Sequence, residues 1–235
     1  MKLLAIDTST ASGSIAIVED GRLVAESTLH IKKTHAERLL PSLDHLLKVT
    51  DTSIEGINRF AVTVGPGSFT GLRIGVSTVK GLAWTLKKPV VGVSTLEALA
   101  SNIPYSNIPI CPVLDARKRE VYTAIYRWGV RASQEVEGME REMEESAIRP
   151  EELVTRVKGP TIFLGDGLGV YGDMIKDNLG DLAIIAPSYL WHIRAAIVGW
   201  IGWLRFNRGL VDSPEVIRPF YIRPSEAEIK AKSFI

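Results

Sequence analysis

The sequence predicts an α/β protein made of a duplicated unit, and three observations carry that prediction. Short apolar runs alternate with segments of helical period. A buried-strand pattern at residues 60–64 leads into a glycine-rich turn that opens a helix. The second half of the chain then repeats the order of features found in the first.

Taken in order, residues 2–7 form an apolar run ending in Asp7, the small polar stretch 8–13 turns the chain, and residues 14–18 return as a second strand. Asp20-Gly21 is a hairpin signal, followed by a third strand at 22–29. From Thr34 the period becomes helical: Leu39, Leu40, Leu43, Leu46 and Leu47 share one arc, with Arg38, Asp44, His45 and Lys48 outside it. Pro41 either kinks this helix or starts its regular part. After the strand at 60–64, the turn Gly65-Pro66-Gly67-Ser68-Phe69-Thr70-Gly71 opens a helix running to about Lys87. A strand at 89–93 precedes a helix that begins at Thr95.

The repeat starts with a run ending in Asp115, which stands as Asp7 stood, followed by a polar turn and an alternating strand at 121–128. Residues 161–164 lead into Gly165-Asp166-Gly167 much as 60–64 lead into Gly65-Pro66-Gly67. Two domains are expected, 1–104 and 105–235, with mixed sheets covered by helices because the early hairpins add antiparallel strands. The charged segment 135–152 is expected at the edge of the second domain as a loop or an exposed helix. Trp191, Trp200, Trp203 and Phe206 share helical spacing with Leu190, Ile197, Ile201 and Leu204, which reads as core and domain-interface packing rather than a base-stacking platform.

Composition narrows the function. With 28 Lys+Arg against 27 Asp+Glu the net charge is +1, so no overall basic field holds nucleic acid, and any RNA contact must be local or supplied by a partner. The single cysteine, Cys111, cannot form an internal disulfide and fits a reducing compartment. The N-terminal run stops being apolar too early for a signal-peptide core, and the expected location is the cytoplasm. The longest apolar stretch, 195–204, is about half of the ~20 residues that a membrane span needs.

The candidate chemistry sits at two turns. Backbone N–H groups where residues 65–71 enter a helix make a site for phosphate, with Arg73 near enough to add charge. No Lys-Ser/Thr follows the last glycine and Pro66 removes a donor, so this is not a Walker A loop, and a tight strand-to-helix turn capped by Ser or Thr is the competing reading. Asp7 beside Thr8, Ser9 and Thr10 suits a Mg²⁺-linked carboxylate among phosphate-binding hydroxyls, and equally a turn aspartate that accepts backbone N–H bonds. Asp115 and Asp166 are weaker candidates of the same kind. His30, His35, His45 and His192 form no metal-binding pair and read as solvated surface, and Ser68 lacks a nearby base.

The segments 4–10, 65–75 and 114–117 with Glu120-Val121-Tyr122 together resemble the TsaB (YeaZ-type) family. The resemblance continues through 35–41, 92–99, 165–167 and 219–224, whereas 135–152 and the Trp-rich helix at 188–206 match no pattern of that family. It implies the duplicated actin/Hsp70/sugar-kinase-like (ribonuclease H-like) ATPase fold and a role in making N6-threonylcarbamoyladenosine next to the anticodon of tRNA. It implies pairing with a TsaD-like transferase paralogue, a TsaE-like ATPase as third member, and tRNA reached through the complex. Where TsaD-like sequences carry a His-x-x-x-His metal pair, this chain has Thr95 and Leu99, so no catalytic or metal residue of its own is expected. No cofactor is required on this reading, with ATP or ADP and Mg²⁺ as an optional ligand at Asp7, Thr8, Ser9, Thr10, Gly65, Gly67, Ser68, Thr70, Gly71 and Arg73. An ATPase or kinase of the same fold is the competing function.

The partner surface is expected on the helix 70–86. Drawn at 100° per residue, Leu72, Val76, Val79, Ala83 and Leu86 face the sheet, while Ile74, Ser77, Thr78, Gly81, Trp84 and Thr85 form an opposite face of small or apolar residues. The resemblance points the same way and adds the preceding helix, with Leu40, Leu43 and Leu47, since TsaB-like and TsaD-like proteins pair through the corresponding helices. It implies that this face takes the partner, or a second copy when the chain is isolated. The alternative is that it packs on the leucine stripe within one subunit.

Overall fold

The computed structural model describes residues 1–129 and 138–223. The first lobe runs β1 (Lys2–Asp7), β2 (Gly13–Glu19), β3 (Arg22–Leu29), α1 (His35–Val49), β4 (Arg59–Gly65), α2 (Phe69–Leu86), β5 (Val90–Ser94) and α3 (Thr95–Ala100). The second runs β6 (Ile110–Arg117), β7 (Glu120–Gly129), β8 (Gly138–Ile148), α4 (Pro150–Arg156), β9 (Thr161–Leu164), α5 (Leu168–Leu179) and β10 (Ala183–Ile185). α6 (Ala195–Asn207) follows.

Each lobe holds a five-stranded mixed sheet, ordered β3-β2-β1-β4-β5 and β8-β7-β6-β9-β10. In both, the first three strands pair antiparallel and the fourth and fifth join parallel. Identical order and direction in both halves is the duplicated ribonuclease H-like arrangement.

The central strands of the first sheet are apolar throughout because both faces are covered. Leu4, Ile6, Ile15, Ile17, Phe60 and Val62 meet Leu39, Leu43 and Leu46 of α1 and Val76, Val79 and Ala83 of α2. The opposite face carries small residues, Ala5, Ala16 and Ala61, and packs with Val198 and Ile201 of α6. A Cβ on Gly199 would lie 2.6 Å from Val18, and one on Gly202 would lie 2.7 Å from Ala61, so glycine lets α6 seat directly on that sheet.

α6 thus comes from the sequence of the second half yet covers the first sheet, whereas the strands themselves divide between 1–104 and 105–235. Its first turn is held by the first lobe: Ala195 N donates to Ser14 Oγ (2.9 Å), Ala196 N to Glu26 Oε1 (2.9 Å), and Arg194 pairs with Glu26 (2.6 Å). At its far end Arg205 donates to the Gly92 carbonyl and pairs with Glu97 (2.5 Å).

Three expectations need correction. Of the charged segment 135–152, residues 138–148 form edge strand β8, where a polar outer face is solvated, and 150–156 form α4; positions 135–137 lie outside the described residues. Arg38 is buried, donating to the carbonyls of Ala11 (2.6 Å), Leu29 (3.1 Å) and Ile31 (3.4 Å). His35 is partly buried, its ring bonded to Thr10 O (2.7 Å), and His192 packs edge-on against His30. Cys111 is buried against Thr123, its thiol pushed up to about 12 by burial. No helix among the described residues is long and apolar enough to cross a membrane.

Candidate functional site

Between the lobes lies a cleft of ≈ 600 Å³. The first lobe lines it with Ser9, Thr10, Gly67, Ser68 and Thr70, the second with Asp115, Arg117, Tyr122 and Asp166, and the chain end with Tyr221 and Arg223. Of the residues expected to bind phosphate, Ser9, Thr10, Gly67, Ser68 and Thr70 are brought together here, whereas Asp7, Thr8, Gly65, Gly71 and Arg73 lie off the cleft wall.

Asp7 is fully enclosed. Its Oδ1 accepts from Ser9 N (3.1 Å), Ser9 Oγ (2.6 Å) and Thr63 Oγ1 (2.7 Å), while Oδ2 has no hydrogen-bond partner among the described residues. Burial raises its carboxyl to about 6, against the lowering effect of those bonds and of the Arg38 charge.

The glycine-rich turn is occupied by the protein itself. A Cβ on Gly67 would stand 2.3 Å from the Ser9 carbonyl, one on Gly71 2.1 Å from the Thr8 carbonyl, and one on Gly75 2.3 Å from Thr8 Oγ1. Thr8 Oγ1 donates to Gly71 O (2.7 Å), Ser68 N donates to Ser9 O (2.7 Å), and Ser68 Oγ caps α2 by accepting from Gly71 N (3.2 Å). Only Gly65 in this turn has a clearly left-handed backbone, φ 131°, and a Cβ there would meet the Phe220 carbonyl at 2.3 Å. Gly71 lies within the helix, so what it supplies is space, not an unusual dihedral. Arg73 turns to the chain end, donating to Tyr221 Oη (3.1 Å) and lying over the Phe69 ring at 3.9 Å.

The fold family implies a Mg²⁺-nucleotide in such a cleft, and these residues do not fit its phosphates. The carboxylate is enclosed, the Ser68 amide is spent on Ser9, and the turn's glycines are filled by neighbouring carbonyls. Among the described residues, no group of three or more His, Cys, Asp or Glu side chains is placed to hold a metal ion. Thr95 and Leu99 are both fully buried in α3.

The far wall was less legible. Asp166 Oδ1 accepts from Asp115 N (3.2 Å), and burial raises the Asp166 carboxyl. Arg223 pairs with Glu120 (2.7 Å) and donates to Ala116 O (3.1 Å), joining the chain end to the second lobe. The repeat of Asp7 by Asp115 was the signal for that wall. Nothing in the local pattern brings Tyr221 and Arg223 to it.

On α2 the expected faces appear. Leu72, Val76, Val79 and Ala83 are buried, while Ser77, Gly81, Trp84 and Thr85 are exposed and Ile74 and Thr78 are partly so. Trp84 is 58% exposed, Leu40 of α1 57%, and a Cβ on Gly81 would meet nothing within 4 Å. Leu43 is a correction: it points into the core with Leu39 and Leu46, because those three share one side of α1, while Leu47 is half-buried.

A family model described as TsaD, tRNA N6-adenosine threonylcarbamoyltransferase, matches residues 22–231. The tRNA threonylcarbamoyladenosine biosynthesis protein TsaB of Bacillus subtilis (strain 168) is 33% identical over 98% of this chain and 97% of the relative. The protein of that name from Escherichia coli (strain K12) is 32% identical over 97% and 96%. The structure of YeaZ from Pseudomonas aeruginosa superposes with a TM-score of 0.77 at 30% identity, covering 94% of this chain and 99% of that one.

Proposed function

Since this chain belongs to the TsaB (YeaZ-type) family of tRNA threonylcarbamoyladenosine biosynthesis proteins, we propose that it serves N6-threonylcarbamoyladenosine formation as a non-catalytic subunit that pairs with a TsaD-type transferase through α2 and α1. The observation that supports this most is the outer face of α2. Ser77, Gly81 and Thr85 keep that face low, with Trp84 and Leu40 exposed beside it, and an exposed tryptophan next to small residues is the composition of a helix-packing anchor. A TsaE-type ATPase joins the pair, tRNA reaches this chain through the complex, and an isolated chain self-associates by the same face. The reading agrees with an enclosed Asp7 and with Thr95 and Leu99 standing where the resemblance puts the transferase's histidine pair.

Gly81→Arg tests it. The added side chain enters open space on this subunit but stands in the way of a helix approaching from outside. Size-exclusion chromatography should show loss of the transferase complex, and of self-association, while circular dichroism shows a folded monomer. An intact complex would overturn the assignment of this face. The competing kinase reading is favoured instead if the purified chain turns over MgATP at ~1 s⁻¹ or faster.

A further inference from the structure

From the β6–β7 turn at the lip of the cleft, we infer a contact site for RNA, in which Arg117 and Arg119 take backbone phosphates and the tyrosines around them take unpaired bases; the inference rests on the tRNA pathway proposed above. Arg117, Lys118 and Arg119 are consecutive, exposed and all left-handed, with φ of 61°, 55° and 62°. A residue other than glycine in that region costs on the order of 1 kcal/mol, so a run of three persists only where its surroundings dictate it.

Those surroundings are on the page. Asp115 Oδ1 accepts from Arg117 N (2.8 Å) and its Oδ2 pairs with Arg117 (3.1 Å). Arg223 braces the turn from the other side through Ala116 O and Glu120. The turn thus presents Arg117 and Arg119 with Arg223 beside them, Arg117 paired with Asp115 and Arg223 with Glu120, on a molecule whose net charge is only +1. Tyr122 and Tyr221 line the cleft beside it, Tyr221 with its ring 4.9 Å from that of Phe69 and its hydroxyl accepting from Arg73.

Cations interleaved with aromatic rings bind single-stranded nucleic acid by phosphate pairing and base stacking. A small nucleotide held within the cleft would leave Arg119 unused, because Arg119 is exposed and does not line the cleft, and the Arg117 side chain is itself 85% exposed. An extended polyanion crossing the lip uses both.

The test is a titration of an unmodified tRNA transcript onto the complex of this chain with its transferase partner, at several salt concentrations. Complex integrity is measured beforehand by size exclusion without RNA, so failure of pairing is seen separately; if pairing fails, the same titration on the isolated chain decides. The neutral double variant Arg117→Gln, Arg119→Gln should bind at least ~10-fold more weakly, and its slope of log affinity on log salt should be shallower by about 1.4, or ~0.7 per lost single-strand phosphate contact. Arg22→Glu, on the exposed edge strand β3, serves as a control and should keep the wild-type slope. Equal affinity and slope in the double variant, an equal loss in the control, or full competition by MgATP would each overturn the inference.

Discussion

Burial raises the Asp7 carboxyl to about 6 from 3.8, and the direction of that shift sets how stability varies with pH. Between those values the folded protein binds a proton that the unfolded chain has released. The stabilisation is therefore complete below pH 4 and is lost as pH rises through 6, by about 3 kcal/mol in all. Asp7→Asn removes the titration while keeping an Oδ1 that can accept from Ser9 and Thr63. At pH 7.5 this variant should melt at a higher temperature than the parent, with the gap closing towards pH 4. A lower melting temperature at pH 7.5 would mean that the ionised carboxylate is needed by the fold. A sequence names an aspartate at the end of a strand, but whether its oxygens face a ligand or Thr63, 56 residues away, depends on tertiary packing.

The helix α2 shows what periodicity can and cannot reveal. Its buried and open faces follow from 100° steps, because apolar spacing alone decides which side meets the sheet. The roles of its glycines do not follow, since the atom opposing Gly71 most closely belongs to Thr8, in the turn between β1 and β2. Gly71→Val should cost roughly 3 kcal/mol by driving a Cβ against a backbone carbonyl that cannot swing aside, whereas Gly81→Arg should leave the melting temperature unchanged. Thermal melts of the pair check this; a wild-type melt for Gly71→Val would refute the close approach. In α1 the five leucines form one arc on paper, yet Leu39, Leu43 and Leu46 face inward and Leu40 leans out, a distinction finer than an arc can make. β8 hid for another reason: an edge strand solvates one face, and Arg141, Glu142 and Glu144 there read as a loop or helix surface.

Across the whole molecule, the duplication was legible because each half repeats strand, polar turn and strand in the same order. The half of the cleft near Ser9 and Ser68 was legible from its glycine motif. The rest was not, because Tyr221 and Arg223 come to the cleft from the far end of the chain. The same long return applies to α6, which closes the first sheet with residues numbered in the second half. A fragment of residues 1–104 should accordingly show no cooperative thermal transition, while co-expression with 105–235 should give a soluble, folded pair. Cooperative melting of 1–104 alone would show that the small-residue face of its sheet needs no cover. The seating of α6 on Ala5, Ala16 and Ala61 also bears on biosynthesis. After β5, the last strand of the first sheet, roughly 100 more residues, about 5–20 s at ordinary elongation rates, are made before its last covering helix begins. The opening half of this protein is the half completed last, and in that interval its bare alanine face is a surface for chaperones to shield.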